Sequence, residues 1–336
     1  MVIGSNSFSG SHFINLLLEK TTYDIIGVSR SPEKSSAFLP YRSRLQSKKI
    51  ESEKALQSRF HFYQLNLNHD VQKIMDLIDK HQIEYIVNFA AQSEVAPSWK
   101  NPLHWYQTNV LSLVNLLNQL KDRNFIKKYV HASTPEVYGT MSGTITEHTQ
   151  YSPSTPYASS KAAADLFIQM LVKNFNFPAV FTRVANIYGP SQQLFKIIPK
   201  SVMSIKSGRR IPLHGGGHSV RAFIHARDAS YCVLRIMENG NPGEIFHIST
   251  KEFISIRDLV QKICDKMNVS FDSCVDITED RIGKDAAYTL DSTKAQTQLG
   301  WKPTISLDQG IDEVIQWAEN NWQELKEQPL DYIHQE

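Results

Sequence analysis

Cysteine is scarce in this sequence. The 336 residues include three cysteines, Cys232, Cys264 and Cys274, and no Cys-x-x-Cys pair. An odd number without that spacing excludes an even disulfide framework and a zinc knuckle, and it favours a reducing compartment. Long apolar runs are missing as well, since none approaches the ~18–20 residues that a membrane span needs. The chain opens on Met-Val-Ile with no basic leader, so we expect no signal peptide, no membrane contact and a cytoplasmic location.

An excess of charge of either sign is also missing. The chain has 36 basic and 34 acidic residues, a formal net charge of +2. Proteins that bind nucleic acids usually carry a basic patch, so no nucleic-acid partner is expected. His214, His218 and His225 are spread over a Gly-rich loop and a strand, but no acidic or cysteine side chain lies at ligand spacing from them. We therefore expect no metal site.

Short apolar runs alternate with helical patterns through the first half. Six runs predict strands, at residues 1–4, 23–29, 60–67, 83–91, 127–134 and 177–190. Amphipathic spacing predicts helices between them, for example at residues 11–20 and 157–175. This alternation predicts an α/β fold with a doubly wound parallel sheet of the Rossmann type. In the second half the stretch IPLHGGGHSVRAFIHARD is Gly-rich and shorter elements follow it, which predicts a smaller C-terminal α/β lobe over the carboxyl ends of the strands.

The loop between the first strand and the first helix reads Gly-Ser-Asn-Ser-Phe-Ser-Gly. Glycine lets a backbone approach a pyrophosphate, and a helix N-terminus supplies N–H donors. Ser7 replaces the middle glycine of a G-x-x-G-x-x-G pattern, so a purely structural turn is the alternative. The candidate dinucleotide contacts of this loop are Gly4, Asn6, Ser7, Phe8, Ser9 and Gly10.

The second strand ends in Ser29 and Arg30. An acidic residue here would bind the ribose 2′-hydroxyl of NAD, whereas an arginine can hold a 2′-phosphate. Both residues are candidate cofactor contacts, and the sequence leans toward NADP without excluding NAD. An ordinary surface arginine is the alternative.

Tyr157 and Lys161 lie four residues apart, on one face of a predicted helix. A lysine near a phenol lowers the pKa of that phenol, and the phenolate can act as general base on a sugar hydroxyl during hydride transfer. A Tyr-x-x-x-Lys pair is common by chance. The loop at residues 4–10, the strand end at Ser133 and Thr134, and the step of 23 residues from Thr134 to Tyr157 favour a catalytic reading.

Together these residues resemble the extended short-chain dehydrogenase/reductase family, and within it the nucleotide-sugar 4,6-dehydratases and epimerases. The resemblance covers nearly the whole chain. Further motifs that carry it are NFAAQS, TNV, STPEVYG, RVANIYGP, GGGHSVRAFIHARD, DRIGKD and LGWKP. It implies an NAD(P)-dependent lyase or isomerase of carbohydrate biosynthesis that acts on a UDP- or dTDP-hexose. Residues 1–185 are then the NAD(P)-binding domain, to which segments near 222–250 return, and residues 186–336 mainly bind the nucleotide sugar.

The resemblance also implies roles for single residues. Thr134, Tyr157 and Lys161 form the hydride-transfer triad. Further cofactor contacts are implied at Asn66, Leu67, Ala90, Ala91, Gln92 and Asn109, with capping as the alternative for the two asparagines. Substrate contacts are implied at Ser93, Glu94, Asn186, Arg221 and Arg281, the arginines because their planar forks suit a diphosphate.

One position departs from the family pattern. In 4,6-dehydratases the stretch after the strand reads Thr-Asp-Glu, and the resemblance assigns the Glu to the C5 proton and the Asp to protonation of the leaving C6 hydroxyl. Here Thr134 and Glu136 remain, while Pro135 replaces the acid. A 4-keto group acidifies the C5–H bond, so Glu136 is still a sensible base. The missing acid normally contributes about 10²–10⁴-fold.

Four hypotheses remain open at this point. The enzyme is a 4,6-dehydratase with another acid, such as water or Glu94, or it runs a partial cycle on a 5,6-ene nucleotide sugar and inverts C5. Alternatively it is a 4-epimerase or 4-keto reductase in which Glu136 is structural, or a non-catalytic dinucleotide sensor. The dehydratase class is preferred because one acid can be relocated. A homodimer is also expected, through the apolar helices near residues 103–120 and 157–172.

Overall fold

The computed structural model describes residues 1–45, 58–140, 143–279 and 289–335. Its strands are β1 (Val2–Ile3), β2 (Ile25–Ser29), β3 (Phe60–Gln64), β4 (Tyr85–Asn88), β5 (Lys128–Ala132), β6 (Thr144–Ile145), β7 (Ala179–Val184), β8 (Asn186–Tyr188), β9 (Ile211–His214), β10 (Val220–His225), β11 (Ile245–Ile248), β12 (Phe253–Ser255), β13 (Val275–Thr278) and β14 (Thr289–Leu290).

The helices alternate with these strands. They are α1 (Phe8–Lys20), α2 (Pro40–Leu45), α3 (Val71–His81), α4 (Val95–Lys100), α5 (Pro102–Tyr106), α6 (Leu113–Leu120), α7 (Pro156–Phe175), α8 (Ile197–Lys206), α9 (Ala226–Asn239), α10 (Ile256–Lys266), α11 (Phe271–Cys274), α12 (Thr293–Leu299), α13 (Leu307–Asn320) and α14 (Trp322–Leu325). A π-helical turn, Gln107–Ser112, joins α5 to α6. A short 3₁₀ turn, Pro135–Tyr138, follows β5.

Seven strands form one parallel sheet in the order β11-β7-β5-β4-β1-β2-β3. This confirms the predicted doubly wound parallel sheet. The chain runs outward from β1 to β3, then returns to continue at β4 on the other side of β1. Such a reversal opens a crevice at the carboxyl ends of the strands, where open α/β sheets bind ligands.

Both faces of this main sheet are covered by apolar helix faces. α1 and α9 cover one face, where Phe13 and Val233 belong to one buried cluster. α3, α6 and α7 cover the other face, where Ile74, Leu116 and Ile168 are fully buried. The helical periodicity of these apolar residues is therefore what fixes the three-layer arrangement.

Smaller sheets lie beyond β7. β10 pairs in parallel with β8 and antiparallel with β12, and β9 pairs with β13. α8, α10 and α13 pack around a separate buried cluster that includes Ile198, Leu259 and Ile311. These elements fit the smaller α/β lobe expected from the second half of the sequence.

The chain passes between the two groups of elements more than once. α9 and β11 come after β10 in the sequence, yet β11 pairs with β7 at one edge of the main sheet. The division into residues 1–185 and 186–336 stays a prediction.

Across the part of the chain that the structure describes, no helix combines the length and apolarity that a membrane crossing requires.

Candidate active site

The loop of residues 4–10 turns tightly from β1 into α1. Gly4 has a φ of +84°, and a Cβ added there would lie 2.7 Å from the backbone nitrogen of Ala90. A Cβ on Gly10 would lie 2.2 Å from the carbonyl oxygen of Gly4. Both positions therefore require glycine. Ser7 caps α1, since its Oγ accepts a 3.0 Å hydrogen bond from the Gly10 N–H, and this gives a structural reason for serine in place of the middle glycine.

A cavity of about 750 Å³ opens over this loop, at the carboxyl ends of the main-sheet strands. Most of the predicted cofactor contacts line it, namely Gly4, Asn6, Ser7, Phe8, Ser9, Ser29, Arg30, Asn66, Leu67, Ala90, Ala91, Gln92, Tyr157 and Lys161. The predicted substrate contacts Ser93, Glu94 and Asn186 line it too, as does Thr134. The structure thus brings the predicted phosphate loop and the predicted hydride-transfer triad to one cavity.

Four predicted site residues do not line the described cavity: Gly10, Asn109, Glu136 and Arg221. Gly10 lies in α1, against the Gly4 carbonyl. Arg221 is part of β10, where its Nη1 donates to the Val220 carbonyl at 2.9 Å. Arg281 lies outside the described residues.

Asn109 acts behind the cavity wall. It belongs to the π-helical turn Gln107–Ser112, and its Nδ2 donates to the Gln92 carbonyl at 3.0 Å and to the Ser160 hydroxyl at 2.9 Å. Its Oδ1 accepts from the Gln92 N–H at 2.8 Å. Asn109 therefore ties the loop after β4 to helix α7, which carries Tyr157. π-helical turns are frequent at functional sites.

Pro135 opens the 3₁₀ turn that follows β5. Thr134 caps this turn, because its Oγ1 accepts a 3.3 Å hydrogen bond from the Glu136 N–H. The first position of such a turn needs no N–H donor and favours the fixed φ of proline. The local role of Pro135 is therefore to start the turn that carries Glu136 past the end of β5.

The Tyr157 hydroxyl is hydrogen-bonded to Thr134. Burial raises the pKa of Tyr157 above its ordinary value, and the Thr134 hydrogen bond opposes that rise. The nearby charges of Glu136 and Glu94 raise this pKa further. Glu136 thus lies close enough to influence the phenol although it does not line the cavity.

Lys161 is almost completely buried. Its Nζ donates to the Ala132 carbonyl at 2.8 Å and lies 3.2 Å from His131 Nε2. Burial lowers the pKa of Lys161 to about 8, and the charge of Asp165 opposes that fall. The hydrogen bonds of this ammonium go to the end of β5, so its i,i+4 spacing from Tyr157 yields a shared face rather than a direct pair.

A buried polar network lies behind Lys161. The Asp165 carboxylate accepts hydrogen bonds from Arg183 at 2.8 Å, from Ser133 at 2.6 Å and from Tyr151 at 3.2 Å. Its other oxygen lies 3.5 Å from His131 Nε2. Burial lowers the pKa of His131 well below its ordinary value. The ring is therefore neutral at pH 7, and Asp165 is the negative charge nearest to the lysine in this network.

Three further charged residues, Glu33, Lys34 and Lys196, line the cavity and were not predicted from the sequence. Lys196 forms a 2.6 Å ion pair with Glu94, and Glu33 accepts a 2.9 Å hydrogen bond from the Tyr41 hydroxyl. Lys196 follows the motif RVANIYGP by six residues and stands just before α8. In the sequence Lys196 is a lone basic residue six positions after this motif, which does not by itself mark it as a site residue.

No metal centre is formed by the described residues. No group of three His, Cys, Asp or Glu side chains within them is arranged to hold an ion. His214 instead contacts the Thr278 hydroxyl at 2.9 Å, and His225 caps α9 by accepting from the Arg227 N–H.

Comparison with known sequences gives a consistent group of relatives. The sequence profile described as GDP-mannose 4,6 dehydratase matches residues 1–314. A dTDP-D-glucose 4,6-dehydratase of Mus musculus is 31% identical over 333 residues, which cover 97% of this chain and 90% of the mouse protein. A dTDP-glucose 4,6-dehydratase of Streptomyces antibioticus is 36% identical over 252 residues, 74% of this chain and 75% of its own length.

Solved structures of the same group superpose on nearly the whole chain. The dTDP-glucose 4,6-dehydratase DesIV of Streptomyces venezuelae, crystallised with NAD bound, has a TM-score of 0.86 at 29% identity, over 97% of this chain and 99% of its own. The UDP-glucuronic acid 4-epimerase of Bacillus cereus, in complex with UDP-glucuronic acid and NAD, has a TM-score of 0.82 at 25% identity, over 95% and 98%.

Proposed function

Because the chain belongs to the GDP-mannose 4,6 dehydratase family, among the extended short-chain dehydrogenase/reductases, we propose that it is a nicotinamide-dependent nucleotide-sugar 4,6-dehydratase. The observation that carries this proposal is a single cavity lined both by the phosphate loop and by Thr134, Tyr157 and Lys161. The complete triad argues against a non-catalytic dinucleotide sensor.

The residues present fit a bound dinucleotide. Gly4 and Gly10 hold the backbone of the loop in a path that a Cβ would block, and the N-terminus of α1 offers N–H donors toward phosphate oxygens. When bound, the oxidised nicotinamide accepts the C4 hydride and returns it later in the cycle. Ala90, Ala91 and Gln92 supply the adjoining wall of the cavity.

The protein's own residues handle the protons in this proposal. Tyr157 removes the proton of the C4 hydroxyl, and Thr134 favours the ionised phenol through its hydrogen bond. Lys161 supplies a buried positive charge on the same helix face. Glu136 lies close to the phenol and removes the C5 proton once C4 is a ketone, since that ketone acidifies the C5–H bond.

We propose NAD as the dinucleotide. Arg30 already donates to the Gln335 carbonyl at 3.1 Å, and Glu33 and Lys34 line the same cavity with opposite charges, so this pair adds no net positive charge for a 2′-phosphate. The solved relatives described above contain NAD. The sequence-based preference for NADP rested on Ser29 and Arg30. Identifying the cofactor extracted from purified protein, and comparing its Kd for NAD and NADP, tests this choice.

The substrate diphosphate needs positive charge. Asn186 and Lys196 line the cavity and are proposed to contact it, with Arg221 and Arg281 as further proposals from the family pattern. An ammonium and arginine forks both suit phosphate oxygens. A UDP- or dTDP-hexose is the substrate class that fits this set.

A second candidate activity is favoured by Pro135. Proline cannot protonate a leaving hydroxyl, and the carboxylate of Glu94 is engaged in an ion pair with Lys196. The enzyme would then take a 5,6-ene nucleotide sugar, oxidise C4, return hydride to C6 and add a proton at C5 with Glu136. No hydroxide leaves in that sequence, and C5 can be inverted.

One experiment separates these activities. The enzyme is incubated in deuterated solvent with dTDP-glucose, UDP-GlcNAc or a 5,6-ene nucleotide sugar, and products are followed by mass spectrometry. A dehydratase converts a hexose with loss of one water and gain of solvent deuterium. The partial cycle converts only the 5,6-ene, without loss of water. Conversion of none of them would contradict both proposals.

A homodimer is proposed as the working assembly. Large apolar side chains are exposed on the helices near the catalytic helix, namely Trp99, Leu103, Leu111, Leu166, Met170 and Phe175. They lie on α4, α5, the π-helical turn and α7. Apolar patches of this kind mark protein interfaces, and the two helical segments are those expected from the sequence.

A further inference from the structure

A short segment near the end of the described chain lies on the candidate active site. Residues 331–335, here called the strap, follow the buried Leu330. Three of them, Tyr332, Ile333 and Gln335, line the same cavity as the phosphate loop. Tyr332 is close enough to Glu94 and Arg30 for both charges to act on its pKa. None of the proposed catalytic steps uses this segment.

The strap crosses the groove at a defined place. The carbonyl oxygen of Gln335 accepts a 3.1 Å hydrogen bond from Arg30 Nη2 and a 2.8 Å hydrogen bond from Gln92 Nε2. Arg30 follows β2 and Gln92 follows β4, and these strands flank β1 in the sheet. The Gln335 carbonyl oxygen binds both side chains and therefore lies across the end of β1, where the loop of residues 4–10 begins.

Aromatic contacts hold the strap in this position. The His334 ring stacks on Trp105 and on His104, with centroid distances of 5.1 and 5.2 Å, and its Nε2 lies 2.9 Å from His104 Nδ1. Tyr332 packs edge-on against Phe195 at 5.1 Å. These contacts attach the strap to α5 on one side of the cavity and to the segment before α8 on the other.

Space remains between the strap and the phosphate loop. The cavity of about 750 Å³ is bounded by both of them, a volume within the range of ligand pockets, roughly 300–1,000 Å³. The strap therefore bounds an open groove of this volume, while its Gln335 carbonyl occupies hydrogen-bond positions on Arg30 and Gln92. We propose that residues 331–335 form a closing strap over the dinucleotide groove, which must open for the cofactor to enter or leave and which slows its exchange. This inference rests on the proposed dinucleotide site.

A retained cofactor suits the proposed chemistry. A dehydratase returns its hydride within each cycle, so the dinucleotide need not leave between turnovers, whereas the sugar nucleotide must. Slow lid opening is a common control on ligand release. Asp331, whose side chain is 88% exposed, contacts Lys200 at the surface and offers a control position inside the strap that touches neither the aromatic anchors nor the cavity.

The test measures cofactor exchange directly. Full-length protein loaded with NADH is mixed with excess NAD in a stopped-flow fluorimeter, and the NADH release rate and Kd are compared for wild type and three variants. His334→Ala removes the stack and the hydrogen bond, and we expect release to accelerate about tenfold with a weaker Kd. His334→Phe keeps the stack and is expected to show a smaller increase. Asp331→Ala should match wild type.

Three results would contradict the proposal that the strap closes the dinucleotide groove. Unchanged release in His334→Ala, with the fold intact by circular dichroism, would mean that the segment does not close the groove. Tighter NADH binding in that variant would mean that the segment competes with the dinucleotide instead. Failure of the wild type to bind NADH or NAD would contradict the proposed function itself, and the strap with it.

Discussion

At the scale of single residues, the candidate site is governed by opposing influences on Tyr157. Burial and the charges of Glu136 and Glu94 raise its pKa, and Thr134 is the neighbour that counters them. A tyrosine that must ionise to act as a base depends on such a partner. The hydroxyl of Thr134 thus has two contacts to maintain, one with the phenol and one with the Glu136 N–H.

Replacing Thr134 by valine keeps the shape of the side chain and removes both hydrogen bonds. We expect kcat to fall about 10²-fold. Because Thr134 lowers the pKa of Tyr157, its loss raises that pKa, and the rising limb of the pH profile should move to higher pH. Thr134→Ser retains the hydroxyl and serves as the control. Full activity in Thr134→Val, with an unchanged pH profile, would remove Thr134 from the mechanism.

The lowered pKa of Lys161 predicts a falling limb at high pH in the pH profile of the enzyme. Burial lowers the pKa of this ammonium to about 8, so its charged fraction falls as the pH rises through that value. If the positive charge supports ionisation of Tyr157, kcat/KM should decline above about pH 8. Lys161→Met should be about 10²-fold slower and should lack this falling limb. If kcat/KM of Lys161→Met still declines above about pH 8, the falling limb belongs to another group.

At the scale of elements, the 3₁₀ turn after β5 determines where Glu136 lies. Pro135 occupies its first position and is buried there. An aspartate at this position would need a hydrogen-bond partner, because burying an unpaired charge is costly.

Pro135→Asp tests whether the aspartate of the family pattern is the one catalytic group that this chain lacks as a 4,6-dehydratase. We expect it to raise the rate of water loss from a nucleotide hexose by about 10²-fold or more, measured by mass spectrometry. Pro135→Ala controls for any change in the turn, and it should gain nothing. Equal rates in the two variants would show that the leaving hydroxyl is protonated elsewhere or that no water leaves.

The elements also show what the sequence could predict. Local patterns predicted the tight turn at residues 4–10, where Gly4 and Gly10 meet steric limits. The family resemblance is confirmed by the matching profile and relatives. The same patterns missed the partner of Arg30, which lies 305 residues away in sequence. Strand alternation could not tell that Arg221 would lie outside the cavity wall, and spacing alone could not give the direction of the Lys161 ammonium.

At the scale of the whole molecule, helix α7 carries both the proposed catalytic base and part of the proposed dimer surface. It carries Tyr157 on one side and the exposed Leu166, Met170 and Phe175 on another. The π-helical turn beside it exposes Leu111 and anchors the loop after β4 through Asn109. A partner that covers these apolar side chains would pack against the outer side of the catalytic helix.

Charged substitutions on this surface test the proposed dimer. Leu111→Glu combined with Leu166→Glu should convert a dimer into a monomer in size-exclusion chromatography with light scattering, because burying two carboxylates without partners is costly. Ile277→Glu alters an equally exposed apolar side chain on β13 and should leave the mass unchanged. A wild-type monomer, or a double variant that stays dimeric, would contradict this interface.

Oxidation of a nucleotide sugar at C4, with Tyr157 as the base, is the step on which the proposed function depends. The most direct measurement is the absorbance of reduced nicotinamide after rapid mixing of the NAD-loaded enzyme with dTDP-glucose, UDP-GlcNAc or a 5,6-ene nucleotide sugar. We expect a transient rise in this absorbance with at least one of them, slowed by deuterium at C4 and abolished in Tyr157→Phe. A signal that Tyr157→Phe leaves intact, or no reduction with any of the three, would contradict it.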